Sequence, residues 1–196
     1  MKQLALILCF SLYLGDVFSQ DGGTTKAKVF WMDKEPSMET IYFPIEDSEN
    51  GIPYHRGIQS GIEYLNEAGE KEPIEPWDID RLEFEYRGAQ HAYVSTNYDG
   101  KRLIMRVDID GKLRMLEYRY TSRDDYNNIS EMVSRVLSIE GADQGKNTKI
   151  YVIGFKGAMK EFFSNYPDMV QKVKKKEFTY KTAEEMVRYF NDTYGK

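Results

Sequence analysis

Two Asp-Gly pairs set eleven residues apart, Asp99-Gly100 and Asp110-Gly111, constrain this chain more than any other feature in it. A type I′ turn needs positive φ at both central residues, and Asp-Gly adopts that conformation readily, so each pair predicts a tight hairpin. With two-residue loops, Tyr98 faces Lys101, Thr96 faces Leu103 and Val94 faces Met105. Past the second turn Ile109 faces Lys112, Val107 faces Arg114 and Met105 faces Leu116. Alternation then sorts the side chains into two sets. One holds Val94, Leu103, Met105, Val107, Ile109, Leu116, Tyr118 and Tyr120. The other holds Ser95, Asn97, Arg102, Arg106, Asp108, Glu117 and Arg119, with only Ile104, Leu113 and Met115 apolar. Leu82 to Arg87 alternates in the same way and stops at Gly88. Residues 81–120 are therefore expected to form a four-strand antiparallel meander with one wet face.

Upstream, residues 1–19 read as a signal peptide. Lys2 supplies the positive start, Leu4 to Leu14 is apolar apart from Ser11, and Val17 and Ser19 suit a cleavage site before Gln20. The single cysteine, Cys9, lies inside that run, so the exported chain is expected to hold no disulfide and no thiolate site. About 177 residues remain, enough for one domain burying roughly 70% of its unfolded surface. The net charge of −5 disfavours nucleic acid as a partner. Membrane contact is expected only through the cleaved signal peptide.

Residues 20–196 are expected to form a single α+β domain, β-rich over 26–120 and helix-rich over 124–194, with the C-terminal helices packed on one face of the sheet. Ala27 to Met32, Met38 to Ile45 and Ile62 to Leu65 are strand candidates; Pro44 suits a strand end. Ile129, Met132, Val133, Val136 and Leu137 recur at helical spacing and predict a helix there. Lys149 to Ile153 predicts one more strand. Ala158, Met159, Phe162 and Phe163 form a helical stripe ending before Pro167, and Met169, Val170 and Val173 continue on a second helix. Thr182-Ala183-Glu184-Glu185 reads as a capping box opening the last helix, whose buried side is Met186, Val187, Tyr189 and Phe190.

The run from Phe155 to Tyr194 includes Phe155-Lys156-Gly157-Ala158-Met159-Lys160, Tyr166-Pro167-Asp168 and Tyr189-Phe190-Asn191. With Glu75-Pro76-Trp77-Asp78-Ile79 upstream, it resembles a large group of uncharacterised exported proteins of Gram-negative bacteria. The chain departs from that group with Tyr189-Phe190-Asn191 in place of Tyr-Asn, and with Tyr166 where the group often has Cys. The resemblance implies export and a β-then-α layout, and it carries no catalytic residue across.

Each candidate chemistry has a blander alternative. Asp108, Asp110, Gly111 and Glu117 match part of a calcium loop, but Arg106 falls where the first carboxylate belongs, so a hairpin is expected instead. His55 and His91 have no motif partner. The acids Asp78, Glu83 and Glu85 could serve a hydrolase with His91, given a shared pocket. Lys172, Lys174, Lys175 and Lys176 read as a solvated helix end. Tyr54, His55 and Arg56, in a Gly/Pro-rich stretch, are the expected exposed binding loop. No catalytic residue, metal or cofactor is expected. The functional expectation is an exported, non-enzymatic binding or assembly protein of the bacterial envelope, periplasmic or at the cell surface, with an envelope protein or glycan as partner. The alternative is a carboxylate-dependent hydrolase.

Overall fold

A computed structural model describes residues 23–43, 55–140, 148–149 and 153–195. The expected signal peptide, Cys9, Pro44 and Tyr54 lie outside the described residues.

Two β-turns do what their residues dictate. Asp99 and Gly100 have φ of 51° and 72°, and Arg87 and Gly88 have 50° and 76°. These join β5 (Ile79–Tyr86), β6 (Ala89–Tyr98) and β7 (Lys101–Ile109). The register across the first Asp-Gly turn is the expected one, Tyr98 with Lys101 and Val94 with Met105. The second Asp-Gly turn is wider. β8 (Leu113–Arg123) pairs Val107 with Leu116 and Ile109 with Met115, so the expected pairs of Val107 with Arg114 and Ile109 with Lys112 do not form. A bulge at Asp108 carries Ile109 to the face opposite Val107.

Residues 129–139 form a strand, β9 (Ile129–Ile139), and not the expected helix. The apolar spacing suited either element, and eleven paired residues along β8 favour the extended one. Ile129, Met132 and Val133, assigned to a buried helical stripe, are exposed on this hairpin. β10 (Thr148–Lys149) adds two residues to its outer edge.

On the other side, β1 (Thr24–Trp31) pairs with β5, and β2 (Ser37–Tyr42), β3 (Ile62–Leu65) and β4 (Lys71–Ile74) follow outward. The result is an antiparallel sheet in the order β10-β9-β8-β7-β6-β5-β1-β2-β3-β4. β4 is not among the strands expected from the sequence. Its Pro73 fits because β4 is the last strand, where a ladder donor can be spared.

Both faces of the meander bury apolar side chains, so the expected single wet face is corrected. Val94, Met105, Leu116 and Val136 cluster on one face. On the other, Leu113, Met115 and Leu137 pack against α2 (Phe155–Phe162), α3 (Pro167–Lys174) and α4 (Ala183–Tyr194). The helices thus settle on Leu113 and Met115, two of the three apolar positions among the charges, joined by Leu137 of β9 and by Ile109 through the bulge. Met159, Phe163, Met169, Met186, Val187 and Phe190 complete that core. Elsewhere on this inner face, Ile58 of a one-turn helix α1 (His55–Ile58) seals a second core with Leu82, Phe84, Tyr93 and Ile104.

The capping box expected at Thr182 and Glu185 is not made. Thr182 Oγ1 turns back and accepts the Thr179 backbone N–H at 2.9 Å, closing the 3-10 turn Tyr180–Thr182 ahead of α4.

Candidate functional site

A single row of cross-strand partners runs over the inner face: Val29, Leu82, Tyr93, Arg106, Glu117 and Arg135. It begins apolar and ends charged. The charged end lies between the two apolar cores, with α1 on one side and α4 on the other.

Glu117 is 6% exposed and is the anchor of this strip. Its two oxygens accept from Arg106 Nη2 and Arg119 Nε. Arg106 Nη2 also donates to Asp108 at 2.6 Å, and Arg119 Nη1 to Glu131 at 2.6 Å. Charges therefore alternate from Asp108 through Arg106, Glu117 and Arg119 to Glu131. Burial pushes the Glu117 carboxyl up. The Arg119 hydrogen bond and the Arg106 and Arg119 charges outweigh it, so the group is held below its ordinary range. At Asp108 burial wins over Arg106, and that carboxyl is raised.

α1 delivers two more groups. Gln59 Nε2 donates to the Arg119 carbonyl at 2.8 Å and Gln59 Oε1 accepts the Arg119 N–H at 2.6 Å, so the amide pairs with β8 as a further strand would. His55 Nδ1 and the Tyr93 hydroxyl share a 2.6 Å hydrogen bond. His55 is 5% exposed, which corrects the expectation of an exposed binding loop at this residue. The ring is buried because Tyr93 and Ile58 draw α1 down on the sheet. Arg56 is half-buried on the same turn. Burial, then the Arg106 charge, lowers the His55 pKa from 6.5 to about 4, while burial pushes the Tyr93 phenol up. His91 stacks on Phe84 at 5.4 Å between ring centres and is lowered by burial and Arg106.

The buried His55 ring makes folding stability depend on pH. Its folded pKa lies below its unfolded value, so its contribution is present above pH 6.5 and is lost as pH falls toward 4. Between pH 7 and pH 5 the loss is about 2 kcal/mol. Urea unfolding across that range should show a shallower slope in His55→Gln than in the native chain. Equal slopes would contradict a neutral buried ring.

At the α4 end, Arg106, Asp108, Glu117 and Arg135 from the sheet meet Glu184 and Arg188 around a cavity of about 310 Å3. Arg135 Nη2 and Glu184 Oε1 pair at 2.8 Å across it. The Arg106 Nε–H is buried and meets no acceptor among the described residues.

The acids considered for hydrolysis are otherwise engaged. Asp78 Oδ2 accepts the Glu75 N–H at 2.8 Å, Glu83 accepts from Arg81 at 2.6 Å, and Glu85 from Gln90 at 3.0 Å. Pairing of Phe84 with His91 places Glu83 and Glu85 on the strand face opposite that histidine. Glu83 and His91 do both edge a shallow cleft of about 350 Å3, where the β6–β7 ladder ends at Tyr93 and Arg106. Of the calcium-loop candidates, Asp110 is held by Arg81 at 2.7 Å and Glu117 by two arginines. Among the described residues no three His, Asp, Glu or Cys side chains are grouped to hold a metal.

Sequence reasoning missed Tyr93, Arg106, Glu117, Arg119 and Arg135 as one group. A two-residue second turn leaves Glu117 away from Arg106, and only the wider turn sets them opposite. The charge pairing was the usable signal, since opposite charges favour directly facing positions. No protein-family model, curated protein or solved structure matches this chain.

Proposed function

We propose that this chain is an exported protein of the bacterial envelope that acts by binding, with a glycan or a protein segment as its partner, and that the ligand meets the charged strip at the α4 cavity. The observation that carries the reading is the cavity wall itself. Planar guanidinium and carboxylate groups of both signs, from Arg106, Glu117, Arg135, Glu184 and Arg188, converge there on rigid strands and one helix. Such groups hydrogen-bond in pairs to neighbouring hydroxyls or to peptide amides, and strand-borne groups lose little freedom on binding. Export is supported by the residues at the start of the sequence, as read above. Binding rather than turnover is supported by the occupied carboxylates Asp78, Glu83 and Glu85 and by the His55–Tyr93 pair.

The test is calorimetric titration with a panel of envelope oligosaccharides and short peptides, alongside assays of the same compounds for cleavage. The expected result is saturable binding without cleavage, weakened at least roughly tenfold in Arg135→Ser/Arg188→Ser, with the melting temperature unchanged. Cleavage of any panel member, or binding indifferent to that substitution, would overturn the reading.

A further inference from the structure

The corner formed by α2, α3 and the 3-10 turn holds a second feature, remote in character from the charged strip. An open groove of about 540 Å3 has Phe155, Val173 and Phe178 in its floor and Lys156, Lys176 and Lys181 among its lining residues. The three lysines are exposed and form no salt bridge among the described residues, in contrast to Lys172, which pairs with Glu177 at 2.8 Å. Lys176 sits at φ 64°, just past α3, a left-handed position that glycine or asparagine fills more easily. Tyr180, which also lines the groove, is 45% exposed, and Ile153, the chain neighbour of the lining residue Gly154, is 91% exposed. Residues 154–182 carry seven lysines against three carboxylates, a net of +4 in a chain whose total is −5.

We propose that this corner docks on a bilayer surface containing anionic phospholipid. The lysines meet the phosphates, Tyr180 and Ile153 enter the boundary between headgroups and acyl chains, and the apolar floor takes the upper part of one acyl chain. Charge complementarity selects an anionic occupant, because the positive charge is concentrated here while the rest of the chain is acidic. The lining selects lipid over an acidic peptide. A peptide would bring backbone N–H and C=O groups against the side chains of Phe155, Val173 and Phe178, which offer them no partner. The backbone N–H of Thr179, which could have served, is already held by Thr182.

Flotation of the full-length chain with phosphatidylglycerol–phosphatidylcholine vesicles, and with phosphatidylcholine vesicles alone, tests this. The expected result is stronger partitioning onto the mixed vesicles, reduced by added salt. Partitioning should fall roughly fivefold for each lysine neutralised, and so on the order of a hundredfold or more in Lys156→Glu/Lys176→Glu/Lys181→Glu. Ile153→Ser/Tyr180→Ser should weaken the part that survives high salt. All five positions lie at the surface, and circular dichroism should report an unchanged fold. Equal partitioning onto both vesicle types, or a charge-reversed variant that floats like the native chain, would overturn the proposal. So would capture of a polyglutamate peptide by a chain that ignores both vesicles.

Discussion

Alanine at position 117 is expected to lower folding stability by about 3 kcal/mol, read as a drop in the urea midpoint at unchanged slope. Glu117 is the shared acceptor of two guanidinium groups, and its removal leaves Arg106 and Arg119 converging with nothing between them. Breaking a buried pair from one side costs more than the pair contributes, since the surviving charge stays in a poor solvent. Arg106 and Arg119 keep side-chain exposures of 32% and 28%, and their outer partners Asp108 and Glu131 remain, so the cost lies at the low end of the buried range. Glu117→Gln keeps the shape and one acceptor oxygen and should cost about 1–2 kcal/mol. A full loss in the alanine variant beside a negligible one in Glu117→Gln would mean that packing, not charge, holds this strip. The sign with pH is also fixed: the Glu117 pKa is depressed, so its contribution is present above the ordinary carboxylate range and is lost on acidification.

The second large effect is expected where α4 meets the wide turn. Asn191 Oδ1 accepts the Leu113 N–H at 2.7 Å, and Asn191 Nδ2 donates to the Leu113 carbonyl at 2.9 Å and the Asp110 carbonyl at 3.3 Å. One side chain thereby pairs the first residue of β8 as a neighbouring strand would. Asn191→Ala leaves those backbone groups unanswered and should cost about 2–3 kcal/mol. Gly111, at φ 141°, lies so close that a Cβ would overlap the Asn191 amide. Gly111→Ala should therefore also destabilise, by about 2 kcal/mol. The double variant should lose less than the two single losses combined, because removing the amide relieves the overlap while the backbone strain remains. Strict additivity in the urea midpoints would show that the amide and the turn do not act as one unit.

Much of the fold is legible without coordinates. Asp99-Gly100 set its turn and register because positive φ at two adjacent residues is a local demand. The stripes of α2, α3 and α4 are likewise local, being written in spacings of three and four. The segment 129–139 was illegible for the opposite reason. Its spacing suits a helix, but its partner is β8, and a paired strand satisfies eleven residues of backbone that a short amphipathic helix would have satisfied alone. The candidate site was legible in fragments. His55 stands out in the sequence as one of two histidines, while its burial depends on Tyr93, thirty-eight positions away.

What the amino acids settle by themselves is the alternation of the meander and the apolar sides of the three C-terminal helices, since both arise from contacts within a few residues. Tertiary structure alone decides which sheet face those helices cover. Counting apolar residues selects the Val94–Met105–Leu116 face, yet the helices cover Leu113, Met115 and Leu137. One bulged residue at Asp108 turns Ile109 to that side, and Asn191 ties α4 to the turn beyond it. A shift of strand parity reverses every side chain past it, and nothing within the strand's own residues records on which side a later helix will land.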